Sequence, residues 1–258
     1  MSGWMTVALK EIRDHFRDRR SLRSAALYSL MGPVVILFVA QSPAVAKGGA
    51  PLLLSMMSVF VLVSAFTGGM YLALDATAGE RERGSLVPLL LNPISSLHLI
   101  AGKWMAVAVF AVAGLALTLA AFTAVFEWSG IEPPAGATVP LLLWIICGLV
   151  PVALLGAALH LLTGAASRTL KDAQARLSIV TLVPMMTGMF LIFFPGTIGH
   201  WWFAIPVIGQ QVLIGEALRG HAVSLLQAGT LAVFTLAATA ALLLAAGRIM
   251  SRNESAAA

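Results

Sequence analysis

Four consecutive ionisable side chains run from Glu80 to Arg83, with the alternating order Glu-Arg-Glu-Arg. A short apolar segment follows, in which Ser85 can cap a helix that Asn92-Pro93 ends after roughly two turns. This helix is too short to cross a membrane, and an exposed apolar knob rimmed by charge is typical of a docking surface. The predicted docking residues, within a loop at 79–93, are Glu80, Arg81, Glu82, Arg83, Gly84, Ser85, Leu86, Leu89 and Leu90.

Patterns that would support catalysis are absent from the sequence. There is no G-x-x-x-x-G-K-[ST] loop, so the chain cannot hold nucleotide phosphates in the usual glycine-rich cradle. There is also no H-E-x-x-H or G-x-S-x-G motif, and the five histidines are widely spread. We therefore predict no catalytic residue, no metal site and no bound cofactor. His160, which lies inside an apolar run, is expected to be a hydrogen-bonded structural residue.

The composition indicates that the protein lies in a lipid bilayer. Of its 258 residues, 59% are hydrophobic and only 10% are charged, whereas a soluble protein carries about 25% charged residues. Apolar runs of 18 or more residues recur, and each can cross a hydrocarbon core of about 30 Å as a helix. The sequence predicts an all-α integral membrane protein with six spans, at roughly 25–46, 51–74, 101–126, 139–163, 177–195 and 222–247.

The net charge of +5 lies almost entirely between the apolar runs, so it predicts membrane orientation rather than nucleic-acid binding. With the N-terminus inside the cell, fourteen Lys and Arg residues fall on the cytoplasmic side and two, Lys47 and Arg219, fall outside. Both termini should therefore be cytoplasmic. The fourteen are Lys10, Arg13, Arg17, Arg19, Arg20, Arg23, Arg81, Arg83, Lys103, Arg168, Lys171, Arg176, Arg248 and Arg252.

The first 24 residues are predicted to form an amphipathic helix in the membrane interface. Its apolar face is formed by residues spaced by four, three and four positions, and most of its basic residues fall on the other side. An ordinary solvated helix is the alternative. The apolar face consists of Met5, Leu9, Ile12 and Phe16.

The segment at 195–221 is too apolar for a free loop, although Pro206, Gly209 and Gly215 interrupt it. A seventh span would place the C-terminal arginines outside, against the charge bias. We therefore predict a re-entrant or interfacial helical hairpin at 203–218 on the outer face, between the fifth and sixth spans.

The predicted spans contain almost no ionisable group near mid-membrane, so candidates for a translocation path are few. A proline inside a span frees backbone carbonyls that can bind a cation where water reaches, although helix bending alone is the alternative reading. The possible path residues, all in the fifth span, are Thr181, Pro184 and Thr187.

The loop sequence GERERGSLVPLLLNPISSLHLIAGK resembles that of permeases of ABC type-2 exporters, most closely the NatB-like sodium-efflux group. Further similarity lies in ALKEIRDHFRDRRSL, AQARLSIVTLVPMM and IPVIGQQVLIGEALRG, and the resemblance covers nearly the whole chain in order. Many members of the group carry a large extracytoplasmic domain between the first two spans. Here that connection is only about Ser42 to Pro51.

The resemblance implies a single ABC type-2 transmembrane domain over residues 1–258, in the bacterial inner membrane. Its 79–93 loop would be the coupling helix that sits in a cleft of a separate ATPase subunit, which binds ATP and Mg²⁺. The permease itself would be non-catalytic and would form a homodimer or pair with a sister permease. The implied cargo is sodium or another small cation. A drug, peptide or lipid-like amphiphile is the alternative cargo, and an intramembrane enzyme or passive channel is the alternative class.

Overall fold

A computed structural model of the protein describes residues 3–43, 49–85, 95–129, 139–194, 205–221 and 223–255. The described residues are helical and contain no β-strand, as the sequence predicted. A π-helical turn at Asp75–Gly79 joins the short helices Met70–Leu74 and Glu80–Glu82. The helices are α1 (Gly3–Arg17), α2 (Arg19–Ala40), α3 (Ala50–Thr67), α4 (Met70–Leu74), α5 (Glu80–Glu82), α6 (Ser96–Ser129), α7 (Val139–Ala166), α8 (Leu170–Phe193), α9 (Ile208–Leu218) and α10 (Leu225–Ser255).

Six helical stretches in the described part of the chain are long and apolar enough to cross a membrane. Their mean hydropathy lies between 1.7 and 2.5, and each exceeds the 18 or so residues that a span needs. The six predicted spans are thereby confirmed, and the chain is a multi-pass membrane protein. The stretches are Leu22–Ala40, Pro51–Glu82, Ser96–Ser129, Pro140–Ala166, Leu170–Phe193 and Leu225–Arg252.

The second, third and fourth spans form the centre of the bundle. Their apolar side chains interdigitate in one core, which includes Leu62 of α3, Leu115 and Phe122 of α6, and Leu149 of α7. The first, fifth and sixth spans lie around this centre and expose large apolar residues such as Phe38 and Ile179. In a bilayer, hydrocarbon or another apolar subunit covers such surfaces, so their exposure is expected of membrane helices.

Helix α1 packs closely along the start of α6. A Cβ atom on Gly102 of α6 would lie 2.7 Å from the backbone oxygen of Trp4, so only glycine permits this approach of the two backbones. Val7 and Ala8 of α1 are buried in the contact. The close approach brings the polar residues of α1 within reach of those on α6.

The N-terminal helix differs in length from the sequence expectation. α1 ends at Arg17, and residues 19–24 belong to the helix of the first span rather than to an interfacial helix. The predicted apolar face points away from the protein, since Met5, Leu9 and Phe16 are exposed and Ile12 is half-buried. This outward apolar face fits contact with lipid, and the interfacial position of α1 stays a prediction.

Helix α9 lies within the segment predicted to be a hairpin, and most of its side chains are buried. Its 11 residues rise about 16 Å, which is about half of a hydrocarbon core, so the structure gives no support to a seventh span. Residues 195–204 are outside the described part of the chain. Residues 205–218 of the predicted hairpin at 203–218 are described and contain one helix, α9, so the hairpin is not confirmed.

Candidate functional site

A fully buried lysine joins three helices at one end of the bundle. Lys103 of α6 has no exposed surface, and its Nζ donates to Glu11 Oε1 of α1 at 3.0 Å and to Glu80 Oε1 of α5 at 2.9 Å. Both carboxylates are also buried. We call these three residues the Lys103 cluster and the end of the bundle that contains them the charged end.

The Lys103 cluster is stable only as a unit. A buried charge is tolerated when it is paired and hydrogen-bonded, and the removal of one partner leaves an uncompensated charge in a medium of low dielectric. Lys103 satisfies one oxygen of each carboxylate, whereas Glu80 Oε2 has no hydrogen-bond partner among the described residues. Two carboxylates and one ammonium therefore hold α1, α5 and α6 together at a single point.

The next two residues of the loop attach it to the connection between α7 and α8. Arg81 donates from Nη1 to the backbone oxygen of Ser167 and from Nη2 to that of Ala165, the latter at 2.9 Å. Glu82 Oε2 accepts a hydrogen bond from the backbone N–H of Leu170 at 3.0 Å. Carbonyls at a helix C-terminus and N–H groups at a helix N-terminus lack partners within the helix, so both side chains complete helix ends.

Arg83 pairs with Asp75, which lies in the π-helical turn. The distance from Arg83 Nη1 to Asp75 Oδ1 is 2.7 Å, and Nη2 also donates to the backbone oxygen of Asp75 at 3.3 Å. The hydrogen bond to the Asp75 carboxylate raises the pKa of Arg83. His15 Nε2 of α1 lies 3.9 Å from Asp75 Oδ2, so α1 contacts this segment at a second point.

The structure divides the predicted docking residues into two groups. Glu80 is buried and Arg81 half-buried, and both face the protein, whereas Glu82, Arg83, Gly84 and Ser85 are exposed. The Ser85 hydroxyl donates to the backbone oxygen of Glu80 at 3.2 Å. Leu86, Leu89 and Leu90 lie outside the described residues, so their docking role stays a prediction.

Sequence reasoning missed the role of Lys103, which it counted only as a charge that sets orientation. A usable signal was present, because Lys103 lies eight positions into α6 between Gly102 and Trp104, in a helix that is otherwise almost wholly apolar. A lysine at such a position needs a partner carboxylate or access to water.

The two threonines among the possible path residues on α8 donate their hydroxyl protons within their own helix. The Thr181 hydroxyl donates to the backbone oxygen of Ser178 at 3.0 Å, and that of Thr187 donates to the backbone oxygen of Val183 at 2.8 Å. Pro184 is buried. Each hydroxyl oxygen can still accept a hydrogen bond. No hydrogen bond among the described residues links Thr181, Pro184 and Thr187 to one another.

His160 of α7 departs from expectation, because neither ring nitrogen has a hydrogen-bond partner among the described residues. The ring is fully buried and meets Phe66 edge-on, with the ring centroids 5.2 Å apart. Among the described residues, the prediction that His160 is hydrogen-bonded is therefore wrong. A buried polar side chain without hydrogen-bond partners lowers the stability of the folded protein, so a histidine is unfavourable at this position.

We expect His160→Leu to stabilise the protein by about 1 kcal/mol. Two unpaired polar atoms, which cost about 1–3 kcal/mol, are removed, while the aromatic pair with Phe66, worth about 0.5–1.5 kcal/mol, is lost. Unfolding in bicelles measures the difference, and Phe66→Leu serves as a control that removes the same aromatic pair together with the packing of a buried ring. A loss of stability in His160→Leu larger than that in Phe66→Leu would show that the ring nitrogens have a partner.

The fold and the site together define a class of membrane protein. The chain is a multi-pass α-helical membrane protein in which a charged loop is attached, at one end of the bundle, to α1, to α6 and to the connection between α7 and α8. This arrangement can transmit a push on the loop to several helices at once.

Comparison with known proteins agrees with this class. The chain is 32% identical over 200 residues to the ABC transporter permease protein NatB of Bacillus subtilis (strain 168), an alignment that covers 72% of this chain and 51% of the relative. The chain thus spans about half the length of the curated relative it matches. No protein-family model matches the chain. The similarity to an ABC transporter permease predicted from the loop is confirmed, and six apolar helices are consistent with an ABC-2 type permease.

Proposed function

We propose that this chain is the non-catalytic, membrane-spanning permease subunit of an ATP-driven ABC exporter. The observation that carries the proposal is the charged loop, whose consecutive residues Glu80, Arg81 and Glu82 contact different helices at the charged end. Similarity to an ABC transporter permease over most of the chain supports it. ATP and Mg²⁺ would be bound by a separate ATPase subunit, which docks on the loop at 79–93.

The contacts suggest how the loop would work in such a transporter. A push from the ATPase on the segment after Arg83 would reach α1 and α6 through the Lys103 cluster, and α7 and α8 through Arg81 and Glu82. Each of these loop side chains is hydrogen-bonded to another helix or to the connection between α7 and α8, so a displacement of the loop would also displace those helices. The helices would then move between inward-facing and outward-facing arrangements.

The membrane placement is part of the same proposal. The excess of Lys and Arg at the charged end favours a cytoplasmic position for that end and for both termini, in the bacterial inner membrane. A second permease copy would cover part of the apolar surface that α8 and α10 expose. A homodimer with two ATPase subunits is the proposed assembly.

Sodium or another small cation is the leading proposed cargo, on the strength of the resemblance to the NatB-like group. A drug, peptide or lipid-like amphiphile is the second candidate, because the exposed faces of the fifth and sixth spans are apolar, with residues such as Met186 and Phe234. An apolar lining suits an amphiphile better than a bare cation, which needs several oxygen ligands.

The test is reconstitution of the permease in proteoliposomes with an ABC ATPase subunit from the same organism. We expect the ATPase to co-purify with the permease and sodium to move only when ATP is hydrolysed, with a non-hydrolysable ATP analogue as the control. If an amphiphile stimulates the ATPase while sodium flux is absent, the sodium assignment is wrong and the exporter class stands. If no ATPase binds, a passive channel or scaffold replaces the exporter.

A further inference from the structure

A cavity of about 290 Å³ lies between α7, α9 and α10, at the end of the bundle opposite the charged end. Helix α7 ends at the charged end, where Arg81 contacts the backbone oxygen of Ala165, so its start at Val139 is at the opposite end. A Cβ atom on Gly148 of α7 or on Gly229 of α10 would meet no described atom within 4 Å. These two glycines thus border open space, where helices in contact would normally interlock.

The lining of this cavity is almost wholly apolar, with leucine, isoleucine, alanine and glycine residues from the three helices. Gln210 also lines it, but its Oε1 accepts from the backbone N–H of Val207 and its Nε2 donates to Thr235 Oγ1, both at 2.6 Å. Buried water needs two to four polar partners, and an apolar cavity of about 150 Å³ stays dry and binds benzene. Hydrocarbon is therefore the occupant that this lining fits.

The cavity opens sideways between α7 and α10. Cys147, Leu225 and Gly229 line it, and all three also reach the surface of the bundle. Pro151, its deepest lining residue on α7, lies eleven positions beyond the start of the span at Pro140, a rise of about 16 Å or half of a hydrocarbon core. The acyl chains of one leaflet of the bilayer can therefore reach the cavity at their own depth.

A second cavity, of about 310 Å³, adjoins the first on the side nearer the start of α7. The two share Trp144 as a lining residue, and Gly220 and His221, which follow α9, also line the second. The His221 side chain is 64% exposed and its Nδ1 lies 2.5 Å from Glu216 Oε2. This second cavity thus offers a polar, hydrated surface directly beside the apolar one.

Trp144 marks the boundary between the two cavities. Its side chain is half-buried, and its indole N–H has no hydrogen-bond partner among the described residues, whereas that of Trp104 donates to the backbone oxygen of Leu154 at 3.0 Å. Tryptophan is enriched where lipid headgroups meet hydrocarbon. An apolar cavity, an available indole donor and a polar cavity follow one another along α7 in the order of an acyl chain, an ester and a headgroup.

We propose that the two cavities together bind one phospholipid, with an acyl chain between Gly148 and Gly229, the ester groups beside Trp144 and the headgroup beside His221. The match of polarity along α7 favours a phospholipid over side chains of a second permease copy, since a lipid has this polarity order in every orientation that the bilayer allows. The inference does not depend on ATP, on the cargo or on the direction of transport.

The test uses the purified full-length permease in detergent micelles, with a small molar excess of a phosphatidylethanolamine that carries a diazirine midway along one acyl chain. After illumination, mass spectrometry maps the crosslinked peptides. We expect saturable labelling concentrated on 147–151 and 228–232, which unlabelled phosphatidylethanolamine reduces. Labelling that follows the exposed faces of α8 and α10 without saturation would overturn the proposal. Equal competition by hexadecane would also overturn it, because the headgroup would then contribute nothing.

Variants that fill the apolar cavity assign the labelling to it. Gly229→Leu and Gly148→Leu each place a side chain in the open space and should weaken phospholipid binding by about tenfold or more, a change of about 1.4 kcal/mol. Ala237→Leu is the matched control, because it adds the same side chain to an exposed position of α10 outside the cavity and should label as the wild type does. Circular dichroism checks that each variant folds. Wild-type labelling in both glycine variants would overturn the proposal.

Discussion

Replacement of Lys103 by Met is expected to lower the free energy of unfolding by about 3–5 kcal/mol. The substitution leaves the Glu11 and Glu80 carboxylates buried close together without their shared cation, and loss of one partner of a buried ion pair costs about this much. Reversible unfolding in bicelles measures the change. A value within about 1 kcal/mol of the wild type would show that the Lys103 cluster does not hold the charged end together.

Two control variants separate charge from packing. Lys10→Met removes another ammonium 3.5 Å from Glu11, but that lysine is 51% exposed, so we expect a loss below about 1 kcal/mol. The triple variant Lys103→Met, Glu11→Met, Glu80→Met removes all three charges at similar volume and should recover most of the lost stability. If the triple variant is as unstable as Lys103→Met, lost packing of the lysine chain is the cause rather than unpaired charge.

Replacement of Leu89 by Asp in the loop is expected to weaken binding of the ATPase subunit by roughly 2 kcal/mol or more, about thirtyfold in affinity. A central apolar side chain in a docking surface is worth this much, and a buried unpaired carboxylate would add to the loss. Co-purification and titration with the ATPase measure it. Leu97→Asp is the matched control, because Leu97 is 51% exposed near the same end at the start of α6. Equal binding by Leu89→Asp and the wild type would exclude this loop as the docking element.

The same titration shows whether Arg83 acts on the ATPase or within the permease. Arg83→Glu should weaken binding as Leu89→Asp does, either because the rim charge is reversed or because the pair with Asp75 is lost. The double variant Arg83→Glu, Asp75→Arg restores the internal pair with its charges exchanged. Recovery of binding would assign Arg83 an internal role, and continued loss would assign it a direct contact.

The spans were predictable from the sequence because membrane helices obey a constraint of length and hydropathy that each segment satisfies by itself. The run from Pro140 to Ala166 contains no Asp, Glu, Lys or Arg, and hydrocarbon excludes any structure there except a helix or closed sheet. The all-α class and the six spans follow from such runs.

The charged end was only partly predictable, because its geometry depends on contacts between residues far apart in the sequence. Glu11 and Lys103 are 92 positions apart, and their pairing requires the close approach of α1 to Gly102. The charged run from Glu80 to Arg83 was identified as a site from its pattern. Nothing in that pattern indicates that Glu80 turns inward while Glu82 and Arg83 remain exposed.

The π-helical turn at Asp75–Gly79 sets the angular phase of everything that follows it in the second span. The backbone N–H of Glu80 bonds to the oxygen of Asp75, five residues back, so the turn holds one residue more than an α-helical turn. If the same residues formed a regular α-helix instead, the extra residue would rotate the charged run by about 100° relative to the rest of the span. Glu80 would then point away from Lys103, although the span would remain as long and as apolar as before. The phase of the charged run therefore depends on the π-helical turn, which no hydropathy profile records.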